Sequence, residues 1–128
     1  MVFTNHSKEP IGVWRDWCSW GWFCPEITIA VAGQKYLFTR IKRTWSRNYP
    51  DAYWIEPGDH YLLPVNLLGR SWVQPKDFRP DLEGVANVSC TFTLRACEAT
   101  KRKGIWTGSV SVSHQLHLDI STEPRLPY

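Results

Sequence analysis

The sequence predicts an all-β fold, one antiparallel sandwich of about seven strands. Three observations predict it. The closing third alternates apolar and polar residues with a period of two; the 9 Pro and 8 Gly of this 128-residue chain are scattered, not clustered; and no segment sustains a helical period with caps. Scattered Pro and Gly cut a chain into short pieces, which suits strands better than long helices. Residues 1–128 are the length of a single domain, and folding at that size buries roughly two thirds of the unfolded surface.

The elements follow in chain order. "VFTNHSKEPIGVW" reads as a strand, a polar break at Asn5 to Glu9, and a second strand from Ile11. "EITIAVAG" turns Ile27, Ile29 and Val31 inward and ends at Gly33, so "KYLFTRI" is expected to pair with it as a hairpin around Ala32-Gly33-Gln34. "EPGDHYLLPVNL" carries a turn at Pro57-Gly58 and then Tyr61, Leu63, Val65 and Leu67 on one face. Pro64 has no N–H to give, which places that strand at an edge or a bulge. "QPKDFRPDLEG" is loop, and "VSCTFTLRA" is a strand with Val88, Cys90, Phe92, Leu94 and Ala96 facing inward. "CEATKRKGIWTG" is polar and basic and reads as a connection. In "GSVSVSHQLHLDI", Val110, Val112, His114, Leu116, Leu118 and Ile120 share the face expected to be buried, with serines opposite. These last two strands are expected to form an antiparallel pair. Residues 121–128, "STEPRLPY", are expected to fray.

"VWRDWCSWGWFC" packs four tryptophans and two cysteines into Val13–Cys24. Strand alternation puts Trp14, Trp20 and Trp22 on one side and Trp17 on the other, while Gly21 and Pro25 bend the segment. Most of these rings are expected in the core or as its lid, each burying on the order of 200 Å².

With "NHSKEPIGVW", "IEPGDHYLLPV" and "GIWTGSVSVS" as edges, the pattern resembles the immunoglobulin-like sandwiches of bacterial proteins. "WRDWCSWGWF", "WSRNYPD" and "GIWTG" together resemble a family of small uncharacterised bacterial proteins, over most of the chain. The resemblance implies an immunoglobulin-like antiparallel β-sandwich and carries over no activity and no catalytic residue. The sequence departs from the immunoglobulin pattern in lacking a clear Cys…Trp…Cys spacing, so an inter-sheet disulfide is not implied.

The formal net charge of +3 falls short of a dedicated nucleic-acid binder, and no apolar run reaches the roughly 18 residues of a membrane span. "MVFTNHSKEP" has no apolar leader region, and an extracytoplasmic location with the leader removed is one expectation. Cys18 and Cys24 lack the spacing of a zinc knuckle or a redox Cys-x-x-Cys. Free thiols are expected; if a disulfide forms, Cys18–Cys24 is the easier closure. No copper site is expected, because the only methionine is Met1, and no cofactor or metal is called for.

No nucleophile elbow, phosphate loop or paired-histidine motif is present, and Asp51, Glu56 and Asp59, like Asp81 and Glu83, read as turn chemistry. The expectation is therefore no enzyme but a binding or structural module. The aromatics of "RTWSRNYPDAYW", Trp45, Tyr49, Tyr53 and Trp54, with Arg43 and Arg47 beside them, are the candidate ligand-binding residues. A carbohydrate-binding module using them is the alternative, and a partner protein is another reading of the same surface. The Arg40–Arg47 basic patch is a lower-ranked anion or nucleic-acid surface.

Overall fold

Two-residue alternation builds strands that bury one face and pair on both edges. The structure, a computed structural model, describes residues 1–79 and 84–118. Its strands are β1 (Val2–Thr4), β2 (Ile11–Trp14), β3 (Pro25–Val31), β4 (Gln34–Arg40), β5 (Ala52–Ile55), β6 (His60–Leu62), β7 (Trp72–Val73), β8 (Gly84–Leu94) and β9 (Gly108–Leu118). Two short helices, α1 (Ser19–Trp22) and α2 (Glu98–Lys103), interrupt an otherwise all-β fold. Ile120 and the tail lie outside the described residues, as do Asp81, Glu83 and the side chain of Leu118.

Five strands form one antiparallel sheet in the order β7-β4-β3-β8-β9, and two ribbons, β1–β6 and β2–β5, pair separately. The β3–β4 hairpin turns on Ala32 and Gly33, both at positive φ (50° and 75°). That geometry matches the right-handed twist of the flanking strands, which a two-residue turn must do. β8 and β9 pair along their whole length, from Gly84 opposite Leu118 to Leu94 opposite Gly108. The hydroxyls on their polar face bond across the pair, Ser89 to Ser113 at 2.8 Å, Thr91 to Ser111 at 2.9 Å and Thr93 to Ser109 at 3.0 Å. Their alternation thus sets the register.

The core has two parts. Val13, Trp14, Ile55, Tyr61 and Ile105 of the ribbons and connections pack on Phe92 and Leu94 at the end of β8. Ile27, Ile29, Val31, Tyr36, Phe38, Trp72 and Ala86 form the second part, covered by Val65, Leu67 and Phe78. Phe78 stands edge-on to Tyr36 and Phe38, with centroids 5.4 and 4.9 Å away.

Three expectations are corrected. The apolar face of the last strand is not buried: Val110, Val112 and Leu116 are 45, 50 and 49% exposed. Among the described residues β9 is the edge of the sheet, and the covering layer packs on β3, β4 and β8 without reaching over it. Ala96 is exposed too, because β8 ends at Leu94. The connection expected between the two strands contains α2, whose Thr100 hydroxyl accepts the Cys97 N–H at 2.8 Å and donates to the Cys97 carbonyl at 2.7 Å. Lys101, Arg102 and Lys103 fill its last turn, where cations complement the helix dipole, and Gly104 closes it at φ 66°.

Candidate functional site

The Trp-rich segment leaves β2, makes one helical turn and enters β3. Cys18 opens that turn with its carbonyl, which accepts the N–H groups of Gly21 and Trp22 at 3.1 and 3.0 Å. Gly21 lets the turn lie against the end of β2, since a Cβ there would stand 2.1 Å from the Arg15 carbonyl oxygen. Trp14 and Trp22 are buried, Trp20 is half-buried, and Trp17 is 56% exposed. Trp17 donates its indole N–H to the Asp51 carboxylate, which also pairs with Arg15 at 3.6 Å.

Trp22 explains much of the basic cluster. Its indole N–H donates to the Ile41 carbonyl at 2.8 Å, which fixes the chain leaving β4 against the ring. The Arg40 guanidinium stacks on Trp22 at 4.3 Å and on Trp72 at 4.4 Å, and Arg43 stacks on Trp22 at 5.1 Å and on Trp45 at 4.5 Å. Contacts of this kind contribute about 0.5–2 kcal/mol each, most when the cation is desolvated. Arg40 is 7% exposed and so is no part of a solvated patch. Among the described residues its one carboxylate partner is Asp16 at 3.3 Å, and its Nε has no hydrogen-bond partner. Burial pushes its pKa down and Asp16 pushes it back up.

Arg40 also lines an open cleft of about 770 Å³ where β3 begins and where β4 and β8 end. Trp20 and Phe23 from around α1 form an apolar wall, and among the described residues Lys42 and Arg95 add cations against the single carboxylate of Glu26, with no histidine in the lining. The result is an apolar, net-cationic recess, suited to holding an anion that carries an apolar body.

All four cysteines are free thiols. Cys18 donates to the Arg15 carbonyl at 3.2 Å, and Cys24, in the cleft wall, donates to the Trp20 carbonyl at 3.3 Å. Burial, with Cys18 nearby, pushes the Cys24 thiol from 9.0 up to about 12. Native protein at pH 8 should therefore react fast with a thiol reagent only at exposed Cys97, and at all four cysteines after denaturation. Modification of Cys24 at the rate of Cys97 would contradict its burial. The linkage has a definite sign: the folded state holds this proton more tightly, so its contribution is complete below pH 9 and is lost as pH rises toward 12.

The sequence-predicted ligand residues are dispersed. Tyr49 and Trp54 are 74 and 46% exposed. Tyr53 and Trp54 are successive residues of β5 and face opposite sides. Tyr53 stacks on Tyr61 at 5.0 Å and under Arg15 at 4.9 Å, while Trp54 lies over Gly12, where a Cβ would meet the ring at 2.9 Å. Trp45 is half-buried beneath Arg43, and Arg47 is exposed. Sequence reasoning missed the cleft residues Arg40, Lys42 and Arg95 as a group. One signal was readable: Tyr36, Phe38 and Arg40 share the inward parity of one strand, so an arginine had to face the core.

Among the described residues no group of three His, Cys, Asp or Glu could hold a metal, and no helix is long and apolar enough to cross a membrane. No protein-family model matches the chain, and no curated protein or solved structure matches it.

Proposed function

We propose that the chain is a non-enzymatic binding module, built as an immunoglobulin-like sandwich of the kind found in bacterial proteins, which seats an anionic ligand with an apolar ring in the cleft beside Arg40. The observation that carries this reading is Arg40 itself, a guanidinium more than nine-tenths buried, its Nε without a partner among the described residues, lining a recess with two further cations. A buried cation with one carboxylate partner leaves positive potential in the recess, and Lys42 and Arg95 are exposed enough to reach a bound anion. The non-enzymatic part is supported by the thiol in the wall, whose raised pKa makes it a poor nucleophile.

Phenyl phosphate should quench tryptophan fluorescence saturably, and inorganic phosphate should bind more weakly for want of the ring. Arg95→Gln and Lys42→Gln should each weaken phenyl phosphate roughly tenfold without unfolding the protein, the worth of one charge-assisted hydrogen bond. Absence of saturable quenching, or affinity indifferent to both substitutions, would remove the reading. Exposed Tyr49 and Trp54 favour a carbohydrate-binding module as the second reading. The same titration with a panel of polysaccharides separates the two, since sugar stacking on those rings is indifferent to Arg95→Gln.

A further inference from the structure

Sheets end in edges, and edges expose unpaired N–H and C=O groups that will pair with any strand of matching length and polarity. The two edges of the five-stranded sheet differ. β7 is two residues long, too short to template a partner, whereas β9 runs through eleven residues, each of them from Gly108 to His117 exposed. Proteins guard long edges with Lys, Pro, bulges or inward charges. β9 has none of these: its sequence "GSVSVSHQLHL" contains no charged residue and no proline, and its pairing with β8 runs without interruption. Its apolar row, Val110, Val112 and Leu116, stands about half exposed beside a groove of about 660 Å³ walled by Phe3, Val65 and Leu67.

We propose that β9 is a self-association edge, on which a second copy of this chain pairs β9 against β9, antiparallel about a two-fold axis, so that two five-stranded sheets become one. The backbone demands an extended strand as occupant, and three features select β9 itself. In an antiparallel pair directly opposed residues share a face. A two-fold therefore sets Val110, Val112, His114 and Leu116 against the same row of the partner, and the serines against serines. Neutrality lets two identical strands meet without like-charge repulsion. The serine row then extends a pattern already present, since Ser109, Ser111 and Ser113 bond to hydroxyls of β8. Such an interface is isologous and closes at two copies.

Sedimentation equilibrium is expected to show twice the 14.9 kDa chain mass at high protein concentration. Val112→Lys and Ser111→Lys, which place like charges across the axis on either face, should each return the mass to 14.9 kDa with the near-ultraviolet tryptophan spectrum unchanged. Amide hydrogen exchange of the unmodified chain supplies a readout that needs no variant. In the dimer consecutive β9 amides are all slow, whereas in a lone edge only the alternate ones bonded to β8 are slow. Monomer mass up to the solubility limit overturns the proposal. So does a dimer that survives both lysines while β9 keeps the alternating pattern, because that dimer uses another surface.

Discussion

Gly21→Ala should destabilise the protein by roughly 3 kcal/mol or more, at the upper end of overpacking substitutions. The added methyl has nowhere to go. It would lie 2.1 Å from the Arg15 carbonyl oxygen, 2.7 Å from the carbonyl carbon and 3.0 Å from the Cβ of Trp14. The first two are backbone atoms, so no rotamer change relieves them; α1 must lift from β2. Lifting it pulls Trp22 away from Arg40 and the Ile41 carbonyl, and the cleft loses its wall. Two measurements therefore move together: the denaturation midpoint falls, and phenyl phosphate binding weakens even where the variant is still folded. A midpoint unchanged from the parent protein would mean that the turn does not rest on Arg15.

The same turn shows what the sequence could and could not reveal. α1 is four residues long, is capped by a cysteine with no side-chain hydrogen bond to its amides, and carries no charge in either end turn. None of the usual helix signals was there to read. For α2 they were present, with Glu98 at the start, three cations at the end and Gly104 beyond, but six residues give no measurable period. The strands were legible where alternation was long: the inward faces of β3 and β8 and the pairing of β8 with β9 follow from it directly. Alternation tells which side chains share a face, though, and not whether a second layer covers that face. This is why Val110, Val112 and Leu116 were expected inside and are half outside.

For the candidate site the difficulty was distance along the chain. Trp20, Arg40 and Arg95 come from α1, from the end of β4 and from just past the end of β8, and only the fold brings them to one end of the molecule. The cluster Arg40–Arg43 reads in sequence as one basic run on a solvated surface. In the fold its members divide: Arg40 and Arg43 are committed to indole faces, and Lys42 is free to meet a ligand. That division depends on Trp22 and Trp72, far away in sequence, so no local window contained it.

Asn5→Ala should cost about 3 kcal/mol, because it strands buried backbone groups and removes a junction between both ribbons. Asn5 is 1% exposed in the break between β1 and β2. Its amide nitrogen donates to the Glu9 and Ile55 carbonyls at 2.7 and 2.8 Å, and its side-chain oxygen accepts from the Ser7 N–H and hydroxyl at 2.8 and 2.6 Å. Its backbone closes the Pro57-Gly58 turn, donating to Asp59 at 3.1 Å and accepting from Gly58 at 2.8 Å. Alanine keeps the backbone bonds and loses the other four. Asn5→Asp separates polarity from size: it keeps the acceptor for Ser7 but turns a carboxylate toward two carbonyl oxygens. Burial and those oxygens raise the pKa of the new carboxyl in the folded state, so its penalty should be largest at neutral pH and should shrink as acid protonates it. Asn5-His6-Ser7 also matches the glycosylation pattern, but the nitrogen a glycan would occupy is already bonded twice inside the protein. Urea denaturation of both variants across pH checks the argument, and it fails if the alanine variant matches the parent or the aspartate penalty grows in acid.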